Sequence, residues 1–114
     1  MISQALAQEI SMLEADLCSA LADSTRILIL YALDEQPLNV SELCNNVNIP
    51  QSTASRHLKI LRDKDLVYSV RQGNSTIYHL SDQRLVQALN ILRSVLRDRI
   101  AHRANLMEEI ETHP

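Results

Sequence analysis

A chain of 114 residues has the length of one domain, with no room for a catalytic and a regulatory domain side by side. Leu, Ile and Val number 18, 10 and 6, well above the roughly 20% aliphatic content below which a chain is expected to stay disordered. There is no Phe or Trp, and one Gly and three Pro leave little material for tight turns, so an aliphatic core and long helices are expected. The longest apolar run, 27–33, is far short of the ~20 residues that span a bilayer. Near the start, Glu9, Glu14 and Asp16 stand where a secretion signal carries positive charge. The expectation is a soluble, cytoplasmic protein with no membrane partner.

The formal net charge of −3 argues at first against a nucleic-acid partner, but the charge is unevenly spread. Residues 1–50 hold one basic and seven acidic side chains. Residues 51–75 hold five basic ones, Arg56, Lys59, Arg62, Lys64 and Arg71, against Asp63 and Asp65. Binding to phosphates follows the local field, so an acidic protein with one basic face can still hold DNA. A solvated helix face is the competing explanation for charge alone.

The elements follow from periodicity. Ile2, Leu6, Ile10, Leu13, Leu17 and Leu21 recur at spacings of three and four, the stripe of an amphipathic helix. Asp23 is placed to cap a second helix over 24–33, ended before Pro37. Ser41 is expected to cap a short third helix over 42–47. Asn48, Ile49 and Pro50 make a tight connection, and Pro50 suits the first turn of a fourth helix reaching about Asp63. Leu66, Tyr68 and Val70 alternate on one strand, and Thr76, Tyr78 and Leu80 on another. Between them lies 71–75, with the chain's single Gly at 73, as a hairpin requires. Ser81 then caps a long last helix whose apolar positions are Leu85, Leu89, Leu92, Leu96, Ile100, Met107 and Ile110.

Two helices joined by a three-residue turn and followed by a basic hairpin have the plan of a winged helix-turn-helix. The expected fold is therefore mostly α with a small β-hairpin, in the order α-α-α-α-β-β-α. In the fourth helix Ala54, Leu58 and Leu61 face inward at helical spacing. Gln51, Ser52, Thr53, Ser55, Arg56 and Lys59 are left outward, and these residue types meet base edges and phosphates. The helix start also offers free N–H groups to a phosphate. Arg71, Gln72 and Asn74 on the wing are placed to touch a minor groove or the backbone. The competing reading of this surface is an ordinary exposed helix. His57, within the fourth helix, reads as a packing or phosphate-facing residue, and His79, late in the wing, as a structural one.

At this point the chain resembles the ArsR/SmtB family of bacterial repressors. LADSTRILIL at 21–30 looks like its second-helix signature. VSELC at 40–44 with QSTASRHLKIL at 51–61 looks like its helix-turn-helix, and LV at 66–67 with GNSTIYHL at 73–80 like its wing. Ser24 stands where the family often has Pro. The resemblance implies one winged domain over 1–114, with the helix-turn-helix at 41–63 and the wing at 66–80. It also implies a homodimer through helices 1–21 and 82–111, bound as a repressor to an inverted-repeat operator in double-stranded DNA and released by an effector.

The effector does not follow. Where many relatives carry metal-binding cysteines at the start of the third helix, this chain has Asn39 and Ser41. Cys44 resembles the third cysteine of the arsenic-sensing version, but a lone thiol cannot clamp a soft ion. The family's other metal site lies on the last helix. Asp82 fits its first position, but Arg84, Val95 and Asp98 replace the nitrogen ligands. No metal or other cofactor is therefore expected, with His102 and His113 as remaining candidates for a variant site. Cys18 and Cys44 are 26 apart, which is no motif spacing. They read either as small core residues or as a thiol switch. No phosphate loop or nucleophile arrangement points to an enzyme. Two alternatives stay open: a winged-helix protein-interaction module without operator binding, and a metal or metalloid sensor with a variant site.

Overall fold

The computed structural model describes residues 1–112, which form two units: 1–83, and the helix that begins at Arg84. The first unit opens with a helical rod in three pieces: α1 (Gln4–Leu13), a π turn (Glu14–Cys18) and α2 (Ser19–Leu21). Ser3 caps it, accepting from the Leu6 N–H at 3.1 Å. The stripe that reads as one regular helix to Leu21 is thus interrupted. The π turn widens the helix over Glu14–Cys18, so the rod is not one regular α-helix.

Asp23 caps α3 (Ser24–Glu35) through the Arg26 N–H, as its position predicts. The next cap differs from the expectation. α4 (Val40–Val47) starts earlier and is capped by Asn39, not Ser41. Asn39 Oδ1 accepts from the Glu42 N–H at 2.8 Å, and the Glu42 carboxylate accepts from the Asn39 N–H at 2.9 Å. That reciprocal pair satisfies two backbone donors at once, whereas Ser41 lies inside the first turn and is exposed. Asn48 then takes φ +60° and ends α4, its N–H and that of Ile49 both donating to the Cys44 carbonyl.

α5 (Gln51–Asp63) follows, with Pro50 at the cap position. It ends in a Schellman arrangement: Asp65 takes φ +59°, its N–H donates to Arg62 and that of Leu66 to Leu61. Asn and Asp therefore fill two left-handed positions that other chains give to glycine. β1 (Val67–Gln72) and β2 (Ser75–Leu80) pair antiparallel, Gln72 opposite Ser75, leaving Gly73 and Asn74 as a two-residue turn. Gly73 has φ +60° and Asn74 does not share the positive sign, as a type II′ hairpin demands. Tyr68 and Val70 share a strand face, as their alternation predicts, but that face is exposed while Leu66 and Val67 are buried. Leu38 adds a one-residue bridge to Tyr78, which ties the α3–α4 connection to the wing.

The core of this unit is Ile29, Leu30, Leu43, Leu58, Leu61 and Val67, all fully buried. It packs α3, α4 and α5 together behind the wing. In the second unit, α6 (Arg84–Thr112) starts three residues beyond Ser81, so Ser81 is not its cap.

Candidate nucleic-acid interface

α4, the turn 48–50 and α5 form a helix-turn-helix, with the β1–β2 hairpin as its wing. Ala54, His57, Leu58 and Leu61 are the buried residues of α5, at the i, i+3, i+4, i+7 spacing of one face. The opposite face carries Gln51, Ser52, Ser55, Arg56 and Lys59, all exposed, while Thr53 is half-buried at its edge. No side chain caps the start of α5 and no acidic residue lies in its first turn. Its leading N–H groups therefore keep their affinity for an anion.

Lys59 Nζ lies 3.4 Å from Asp63 Oδ2, one turn on. Such an exposed pair is worth about 0.3–0.5 kcal/mol, too little to hold the ammonium from a phosphate. On the wing, Arg71, Gln72 and Asn74 are exposed at the tip, and Arg71 Nε donates to the Gly73 carbonyl at 3.2 Å. The hairpin and the outer row of α5 belong to the same unit of the protein.

His57 is the exception on α5. It is 4% exposed, and Arg26 Nη1 lies 3.3 Å from its Nδ1. A guanidinium carries only donors, so Nδ1 accepts and the ring is the neutral form with its proton on Nε2. Burial pulls the His57 pKa below its ordinary value; Asp23 opposes this, and Arg56 and Arg26 add to it. The same Arg26 donates through Nε to the Ala20 carbonyl at 2.7 Å and through Nη2 to the Ser19 carbonyl at 3.3 Å. Asp23, whose carboxylate accepts from the Arg26 N–H and faces the guanidinium, is held below the usual carboxylate value. At the far end of α5, Lys64 Nζ reaches Asp16 at 3.6 Å.

This clasp escapes a reading by residue type, which leaves His57 as packing or phosphate-facing; at 4% exposed it is packed and faces no phosphate. Two signals point to it. His57 lies three residues after Ala54, on the buried face, and Arg26 is the sole basic residue in 1–50.

Cys18, in the π turn, is exposed, and Cys44, in α4, is half-buried. His102 is exposed on α6, and His113 lies outside the described residues. Among the described residues no helix is long and apolar enough to cross a membrane.

Comparison with known proteins agrees with this geometry. The model of the arsR family of bacterial regulatory proteins matches residues 23–69, from the α3 cap to the first wing strand. The transcriptional regulator NmtR of Mycobacterium tuberculosis is 39% identical over 88 residues, covering 77% of this chain and 69% of that protein. The repressor SmtB of the same species is 34% identical over 87 residues, covering 76% of this chain and 59% of that protein. The crystal structure of NolR from Sinorhizobium fredii superposes with a TM-score of 0.71 at 30% identity, covering 83% of this chain and 94% of that one.

Proposed function

Because the chain belongs to the arsR family of bacterial regulatory proteins and is a DNA-binding regulator of transcription, not an enzyme, we propose that it is a homodimeric repressor. In this reading it occupies an inverted-repeat operator in the cytoplasm and leaves when an effector acts on it. The observation that carries the proposal is the outer face of α5, where Gln51, Ser52, Ser55, Arg56 and Lys59 stand beside an uncapped helix start. In this role Arg56 and Gln51 read base edges, Ser52, Thr53, Ser55 and Lys59 engage edges or phosphates, and Arg71, Gln72 and Asn74 hold the flanking backbone.

Dimerisation is supported by two exposed apolar stripes. In the first unit Ile2, Leu6, Ile10 and Leu13 are exposed, and on α6 so are Leu92, Val95, Leu96 and Ile100. A soluble protein seldom leaves stripes of this extent in water. Two-fold pairing through them sets two reading helices about one DNA turn apart, and hence calls for an inverted repeat.

The release step is assigned to the thiols. Cys18 is open to solvent inside a π turn, and the Cys44 carbonyl anchors the turn of the helix-turn-helix. Oxidation or alkylation at either place changes backbone geometry that leads to α5. Selection of bound sequences from random duplex DNA, followed by footprinting, tests the operator reading. Enrichment of an inverted repeat supports it, and recovery of no preferred sequence contradicts it.

A further inference from the structure

The outer row of α5 faces solvent, and α5 packs through its buried side, with Lys64 at its end reaching Asp16 of the rod. Among the described residues His57 is the one polar or charged side chain in the buried core, and it meets Arg26, the one basic side chain of residues 1–50. We propose that Arg26 is a positioning residue for DNA reading: acting through neutral His57, it sets α5 against the end of α2, and protonation of His57 loosens that setting and lowers DNA affinity. The proposal rests on the reading of α5 as the helix that contacts DNA.

The argument is one of donor geometry. The guanidinium spends its three nitrogens on three acceptors: Nε on the Ala20 carbonyl, Nη2 on the Ser19 carbonyl and Nη1 on His57 Nδ1. Two of these are carbonyls in the last turn of a helical rod, where the Ser19 carbonyl also accepts from the Ala22 N–H at 3.4 Å. The third lies on the reading helix. One rigid, planar side chain thus fixes α5 relative to α2, which a flexible stem with a single ammonium cannot do. The lengths range from 2.7 to 3.3 Å, all within hydrogen-bonding reach.

The proton enters at one atom. Placing it on Nδ1 sets an N–H against the Nη1 of Arg26 and a second positive charge in a buried place. The charged groups bearing on the ring are Asp23 and Arg26 from the start of α3 and Arg56 from its own helix. Asp23 favours the charged ring, but it is already engaged with Arg26 and its backbone N–H. Burial and the two arginines act the other way. Protonation therefore breaks the Nη1 contact, and α5 loses its tie to the rod at the middle of its buried face.

The test uses the full chain and a duplex that the parent protein selects from random DNA. Binding is measured from about pH 8 to about pH 5.5, the range that spans an ordinary histidine. The parent is expected to lose about tenfold more affinity over that range than His57→Asn, whose amide oxygen replaces the Nδ1 acceptor and does not titrate. Arg26→Lys is expected to bind about tenfold more weakly near pH 8, the gap to the parent closing as pH falls and His57 charges, while keeping the parent's salt slope, since no phosphate contact is removed. Should the Asn variant fail to fold, the ¹⁵N shifts of His57 in the parent decide the matter: a neutral ring protonated on Nε2 at neutral pH is expected. A ring protonated on Nδ1, or parallel pH profiles for parent and His57→Asn, overturns the clasp. Full binding by Arg56→Ala would instead remove the reading of α5, and with it the role of the clasp in DNA binding, while leaving the His57 tautomer as found.

Discussion

Nη1 of Arg26 lies 3.3 Å from Nδ1 of His57, so the start of α3 and the buried face of α5 share a polar contact across 31 residues of chain. The contact fixes the sign of a stability effect. The folded His57 pKa is below its ordinary value, so between the two values the unfolded chain binds more protons. Stability is then full above the unfolded value of about 6.5 and falls as pH drops through the folded one. Urea midpoints measured from neutral pH downward are expected to fall more steeply in the parent than in His57→Asn. The lowered pKa of Asp23 acts in the same direction but only below its own ordinary range, so the two effects separate along the pH axis.

The cap of α4 gives a second test of the fold. Asn39→Ala removes one hydrogen bond of the capping box and leaves the Glu42 N–H unpaired, for an expected loss of about 1 kcal/mol. Ser41→Ala, at an exposed first-turn site, is expected to change stability by no more than ~0.5 kcal/mol. Urea titration of both variants separates the two positions, and equal losses would contradict the assignment.

Much of this was legible in the sequence because it depends on local chemistry. The stripe of α1, the Asp23 cap, the turn at 48–50 and the glycine of the hairpin each follow from neighbours a few residues away. The misplacements have physical causes. Asn39 and Ser41 are both good cap residues, and the choice falls to the one whose third neighbour is Glu42. The π turn at Glu14–Cys18 leaves no mark in the apolar repeat, since Leu13, Leu17 and Leu21 keep a spacing of four across it. Ser81 is a good cap by type, yet α6 begins at Arg84. The outward row of α5 was readable by subtraction from Ala54, Leu58 and Leu61. His57 was not, because its role depends on Arg26, far away in the chain.

Thiol chemistry offers a third prediction. Peroxide or a thiol-reactive compound is expected to lower operator affinity at least about tenfold in the parent. Cys44→Ser is expected to abolish this response, since it removes the thiol while leaving in place the carbonyl that holds the turn before α5. Zn(II), Ni(II) and Cd(II) at low micromolar levels are expected not to release the protein. A Cys18→Ser/Cys44→Ser variant that responds like the parent would reduce both residues to packing.

Assembly is tested on α6. Leu92 is 63% and Leu96 56% exposed in the single chain, so an Asp at either site is tolerated by the protomer but not by an apolar interface. Leu92→Asp and Leu96→Asp are expected to sediment as monomers where the parent sediments as a dimer. A monomeric parent at micromolar concentration would contradict the proposed pairing.

The central claim is that the outer face of α5 reads DNA, and titration of the selected duplex with Arg56→Ala and Lys59→Ala at several salt concentrations tests it most directly. Arg56→Ala is expected to cost about 1–3 kcal/mol and to relax preference at one base pair. Lys59→Ala, which removes a phosphate contact, is expected to weaken all sequences alike and to lower the salt slope by about one. If both variants bind the duplex with the affinity, base preference and salt dependence of the parent, α5 does not present its outer face to DNA.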